Sequence, residues 1–82
     1  MRIYKLILSN RNCRDDFVIE KDAKILSTGL DPNGNLCIWY STNGESKIYR
    51  TITVVGTGLE FQEDTFIGTV IEGNFVWHVF IK

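Results

Sequence analysis

Histidine occurs once, at His78, so a multi-histidine metal centre cannot be assembled and no nucleophile–base pair is evident. A zinc site made from Cys13, Cys37 and His78 would need a spacing that matches no usual ligand pattern. Cysteine is also scarce: the two copies form no Cys-x-x-Cys pair, which favours free thiols in a reducing cytoplasm over a disulfide framework. No segment approaches ~18 consecutive apolar residues, so nothing reads as a membrane-spanning helix. The opening run, Met1 to Leu8, carries Arg2 and Lys5 inside it, which suits a strand and not a secretion signal. An excess of basic residues is missing too. With a net charge of −1 there is no overall field to draw in DNA or RNA, and nucleic acid is not the expected partner. Finally, no apolar repeat of 3.6 residues occurs. Glu20 to Lys24 is the one helix-friendly stretch, long enough for at most one turn.

What the chain does have is β-strand patterning. At 82 residues, 44% hydrophobic and 23% charged, it reads as one folded domain over residues 1–82. A core of that size gives modest stability, which makes association into a homo-oligomer an expectation. Ile3 to Leu8 is the first strand, and Ser9 to Asp16 is polar enough to read as a loop. Phe17 to Ile19 reads as a short strand. Ile25 to Leu30 follows, with Gly29 able to host a bulge. Asp31-Pro32-Asn33-Gly34 is the clearest turn, and it places the one proline where no ladder is interrupted. Leu36 to Ser41 returns as a strand apolar on both faces, Asn43-Gly44 turns again, and Lys47 to Val55 alternates.

The closing stretch, Phe66 to Lys82, reads as a hairpin around Gly73-Asn74. Its second arm, Phe75 to Ile81, is apolar everywhere except at His78. A strand with one wet face alternates, so this arm belongs in mid-sheet, in a barrel, or at a subunit contact. The fold class is therefore all-β: six or seven short antiparallel strands in a small barrel or a two-layer sandwich.

Binding candidates are few. Arg50 interrupts the apolar side of its strand, where a charge needs a partner or a ligand, and Lys47 lies near it. Trp39 and Trp77 are the aromatics that could stack on a base, although core packing explains most large aromatics in so small a chain. Gly56-Thr57-Gly58 begins like a dinucleotide fingerprint but has no following helix; its backbone N–H groups could still form an anion nest. His78 is expected to be half-buried against a backbone carbonyl, or else to touch a ligand. Glu60, Glu63 and Asp64 crowd a loop with no sign of the shielded pocket that general acid–base chemistry needs, so that chemistry is not expected. No catalytic residue, metal or cofactor is assigned.

Several segments together carry a resemblance: Lys24-Ile25-Leu26-Ser27, Leu36-Cys37-Ile38-Trp39, Gly56-Thr57-Gly58, Phe66-Ile67-Gly68-Thr69 and Phe75-Val76-Trp77-His78-Val79-Phe80. They resemble a family of small β-proteins of bacteriophages and prophages that carry a domain of unknown function. The resemblance implies a protein of the infected host's cytoplasm and implies no enzymatic activity. Small phage proteins of this kind often block a host defence. The functional expectation is thus a binding protein that sequesters a nucleotide signal, such as a cyclic nucleotide, between subunits. Arg50 and Lys47 would meet phosphate, Trp39 or Trp77 the base, and the turn at Gly56 to Gly58 would donate N–H groups. Direct inhibition of a host enzyme or defence protein is the alternative, and a minor virion component is a third reading.

Overall fold

A computed structural model describes residues 1–82 as seven strands and no helix. They are β1 (Arg2–Ile7), β2 (Cys13–Glu20), β3 (Lys24–Leu30), β4 (Leu36–Thr42), β5 (Lys47–Gly56), β6 (Thr65–Glu72) and β7 (Phe75–Ile81). Two antiparallel sheets result, ordered β1-β4-β3 and β2-β5-β7-β6. The inner faces enclose one core, with Leu36 and Ile38 of the first sheet meeting Ile52, Val54, Trp77, Val79 and Ile81 of the second. This is the sandwich, and the barrel is not formed. The sheets approach along β3 and β6, where a Cβ on Gly68 would lie 2.9 Å from Thr28 Cγ2, but no ladder joins them.

Turn chemistry accounts for the connections. Gly34 adopts φ +81° and donates its N–H to the Asp31 carbonyl at 2.9 Å, closing the bulged hairpin expected around Pro32. Between β6 and β7 the left-handed conformation falls on Gly73 alone, at φ +59°, as a type II′ turn requires.

Two local expectations are corrected. Cys13 to Asp16 lies within β2 and not in a loop, because these residues pair with Thr51 to Val54 of β5. The ladder satisfies the backbone whatever the polarity of the side chains. The segment after β2 forms no helix, within the expected limit of one turn: Ala23 donates to the Glu20 carbonyl at 3.0 Å, Lys21 donates to the Ser46 carbonyl at 2.8 Å, and the chain reverses at once into β3. The β3 irregularity falls between Ile25 and Ser27, not at Gly29, whose missing side chain instead leaves room for the Trp39 ring.

The position of β7 accords with its composition. It sits between β5 and β6, and its outer face is covered from within the chain. Residues 57–64 cross that face as a strap, with Phe61 stacked on Phe80 at 4.6 Å. Asn12 holds one end, accepting the Gly56 N–H at 2.9 Å, and Arg14 holds the other through Asp64 at 2.7 Å.

Candidate functional site

Charge is distributed unevenly over the sandwich. Of nine Lys and Arg residues, three are ion-paired: Lys5 with Asp31, Arg11 with Glu72, and Arg14 with Asp64. The six others, Arg2, Lys21, Lys24, Lys47, Arg50 and Lys82, form no ion pair. The register brings them to one end. Arg2 pairs with Thr42 and Lys24 with Ser41 in the first sheet, while Lys47 pairs with Glu20 in the second. Lys82 follows directly on Ile81, which faces Ile52.

Three acids share this end, and two are engaged. Asp22 accepts the Thr42 hydroxyl and the Asn43 N–H, which hold its carboxyl below the usual range. Glu20 is buried and accepts the Tyr40 hydroxyl at 3.0 Å; desolvation first, then Glu20, pushes Tyr40 up to about 12. Glu45 is exposed in the β4–β5 connection.

A crevice of about 340 Å³ opens at this end between the starts of β3 and β6. Ile25, Leu26, Ile67 and Ile81 line its walls, with Phe66, Arg50 and Thr65 also in contact with the space. Arg50 takes an inner-face position beside Ile48 and Ile52, as the strand alternation requires. Its Nε donates to the Lys82 carbonyl at 3.1 Å, and its two terminal nitrogens remain without an acceptor in the chain. The space therefore combines apolar walls with a single guanidinium, that of Arg50. That chemistry suits a flat apolar body bearing an anionic group.

The chain matches the model of the family described as Domain of unknown function (DUF7352) over residues 1–82. It belongs to the DUF7352 family. No curated protein and no solved structure matches it.

The remaining candidates of this DUF7352 chain lie elsewhere. Trp39 is on the outer face of the first sheet, over Gly29. Trp77 is buried in the core, and its indole N–H donates to Glu72 Oε1 at 2.9 Å. Arg11 grips the same carboxylate through two nitrogens, at 3.2 and 2.9 Å. Gly56, Thr57 and Gly58 occupy the opposite end of β5 from Lys47. Of their three N–H groups that of Gly56 is spent on Asn12 Oδ1, and the Gly56 carbonyl accepts from Leu59. His78 bonds hydroxyls and not a carbonyl: Thr57 Oγ1 lies 2.7 Å from Nε2, and Thr69 Oγ1 lies 2.9 Å from Nδ1. Crevices of about 270 and 290 Å³ flank the strap here, yet the arginines nearby are neutralised and Glu60 is added.

Neither thiol is set up as a nucleophile. Desolvation, then the Asp15 carboxylate, pushes Cys13 up to about 11, and burial likewise raises Cys37. The structure thus places Lys47 and Arg50 at the same end of β5, on opposite faces of the strand, and separates them from His78, Trp77 and the glycine turn. Phe66 borders the crevice, with its ring 5.4 Å from that of Phe80, and is a residue that the sequence does not single out. Its one signal is its place in the first arm of the hairpin, which reads as core until the register shows it 56% exposed.

Proposed function

We propose that this chain is a phage-type, non-enzymatic binding protein that sequesters an anionic nucleotide signal of the host, with the ligand at the cationic end. The observation that supports this is the gathering of every unpaired Lys and Arg at one end of the sandwich, where Arg50 borders a partly apolar crevice. Arg50 and Lys47 keep the phosphate-binding roles assigned from the sequence. The base falls to Phe66 and the walls of the crevice, in place of the two tryptophans and the glycine turn. Anti-defence action follows from the resemblance to phage proteins, as the cytoplasm of an infected cell does.

Titration calorimetry with cyclic dinucleotides and cyclic ADP-ribose isomers tests the reading. At least one ligand is expected to bind, and Arg50→Ala should weaken it about tenfold or more, the loss of roughly one charge-assisted hydrogen bond. No heat from the whole set would end the nucleotide version.

A second reading has its own support. Val18 and Tyr49 form a cross-strand pair on the outer face beyond the strap, with Tyr49 77% exposed. An exposed aromatic beside an apolar neighbour is the kind of anchor a protein contact uses. Under that reading the chain inhibits a host protein directly, and pull-down from host lysate would lose its target on Tyr49→Ala.

A further inference from the structure

We propose that a second copy of this chain pairs with β1 edge to edge and antiparallel, about a two-fold axis through Lys5. The two three-stranded sheets would then form one continuous sheet of six strands. Nothing in this contact depends on the ligand proposed above.

Half of the backbone groups of β1 are free. Leu8 N–H donates to the Leu36 carbonyl at 2.8 Å, in the phase of the Arg2↔Thr42 to Ile7↔Cys37 register. Antiparallel ladders alternate, so Arg2, Tyr4 and Leu6 direct their N–H and C=O groups into β4. Ile3, Lys5 and Ile7 direct theirs outward, and no strand receives them. The other edges are managed. β3 and β6 face each other along the Gly68–Thr28 seam, and β2 carries Arg14, Asp15 and Asp16 in its first half. By contrast β1 is exposed at five of six positions, with Ile3 66% and Ile7 43% exposed. An exposed edge with unpaired backbone groups, apolar at Ile3 and Ile7, is a template for another strand.

The register selects the occupant. With the axis at Lys5, Ile3 lies opposite the partner's Ile7 and Ile7 opposite the partner's Ile3, all on the outer face. On the inner face Tyr4 meets the partner's Leu6, and Leu6 the partner's Tyr4. Every hydrogen-bonded pair then joins the residues whose groups point outward, which gives six backbone hydrogen bonds. The obstacle would be two lysines directly opposite each other. Each Lys5, however, holds an Asp31 carboxylate at 2.8 Å, so the central pair brings its own counter-ions. An axis at Tyr4 would instead set Ile3 against Lys5 and Arg2 against Leu6, which is worse on both faces. Of the registers weighed, both of which join outward-facing groups, the one centred on Lys5 is the more self-complementary and makes the more hydrogen bonds.

Such a contact is small, so association should be concentration-dependent. Sedimentation of the full chain across a dilution series is expected to show a monomer–dimer equilibrium. In the dimer the amides of Ile3, Lys5 and Ile7 should exchange more slowly than in the diluted protein, with Tyr4 and Leu6 unchanged. Ile3→Lys and Ile7→Glu, both at exposed positions, should each weaken the dimer roughly tenfold, since two symmetry-related pairs are lost together. Combining the two substitutions in one chain should recover it, because the ammonium introduced in each copy then faces the carboxylate introduced in the other. Within one chain those positions lie about 13 Å apart and cannot compensate each other. A chain that stays monomeric at millimolar concentration would overturn the proposal, as would a dimer whose odd-numbered amides exchange freely. Failure of the double variant to recover would overturn the register. Should the single variants not fold, exchange in the unmodified chain still decides.

Discussion

A methyl group added at position 68 would sit 2.9 Å from Thr28 Cγ2, at the one place where the two sheets approach without hydrogen bonds. Thr28 cannot turn away cheaply, because it is β-branched and its hydroxyl is committed to the Cys37 carbonyl at 2.8 Å. Gly68→Ala is therefore expected to cost about 1–3 kcal/mol in urea unfolding, as overpacking does. Thr28→Ser keeps the hydroxyl and removes the colliding methyl, so Gly68→Ala should cost clearly less in that background. Equal costs in both backgrounds would show that the seam is not where the strain lies. Asp31 is the other residue whose chemistry fixes a prediction. Its buried carboxylate takes Lys5 Nζ, the backbone N–H groups of Asn33 and Asn35, and the Asn35 side chain. The Lys5 hydrogen bond is the largest of the causes that hold its pKa far below the usual carboxylate range. A depressed folded pKa means that the unfolded chain takes up the proton first as pH falls. The stabilisation is thus complete above about pH 4 and drains away below it. Glu72 shifts the same way, held by Arg11 and then Trp77, and adds to the same acid limb. Asp31→Asn should flatten the loss of stability between neutral pH and about pH 3, measured by urea midpoints.

At the level of elements, the strap is the piece whose role is most open to test. It is tied by an Asn12 hydrogen bond, an Arg14–Asp64 ion pair and one aromatic stack. Arg14 is 28% exposed and its partner Asp64, 9% exposed, sits at the end of the strap, so Arg14→Ala lets that carboxylate swing back into water and should cost global stability little, about 0–1 kcal/mol. Its effect should appear locally, as faster proteolysis and amide exchange across residues 57–64 with the melting temperature nearly unchanged. A large drop in melting temperature would mean that the strap is part of the core and not a cover. The strap also marks where sequence reading stops. The strands, the Pro32 turn and the Gly73 turn were legible because alternation and φ requirements are local properties. The two-sided burial of Phe75 to Ile81 was legible too, but its cause was not. Nothing in Gly58 to Asp64 announces that Phe61 will lie on Phe80. Cys13 to Asp16 reads as a loop for a related reason, since a ladder with β5 is a long-range decision that side-chain polarity does not carry. Arg50 and Lys47 stand out because they break or border an apolar face. Phe66 does neither, and so it is passed over.

Across the whole molecule, the question is whether binding would follow the protein's net charge or the arrangement of its cations. The net charge of −1 argues against any anionic ligand, whereas the cluster at one end argues for one. Screening decides between them. Lys47 and Val55 lie eight residues apart on β5, about 25 Å at strand spacing. Glu60 lines a crevice beside Val55, so it is about three Debye lengths from Lys47 at physiological salt, where that length is about 8 Å. A charge at Glu60 should hardly be felt at the cationic end, while one at Lys47, three residues or about 10 Å along β5 from Arg50, should be. Lys47→Gln and Glu60→Gln change the net charge by the same amount in opposite senses. If the cationic end is the site, Lys47→Gln should weaken an anionic ligand several-fold and lower its salt dependence, and Glu60→Gln should leave both unchanged. If binding tracked net charge, Glu60→Gln would strengthen it as much as Lys47→Gln weakened it. Calorimetry of the two variants at low and physiological salt distinguishes these outcomes, since a net-charge effect would grow at low salt and a contact effect would persist at high.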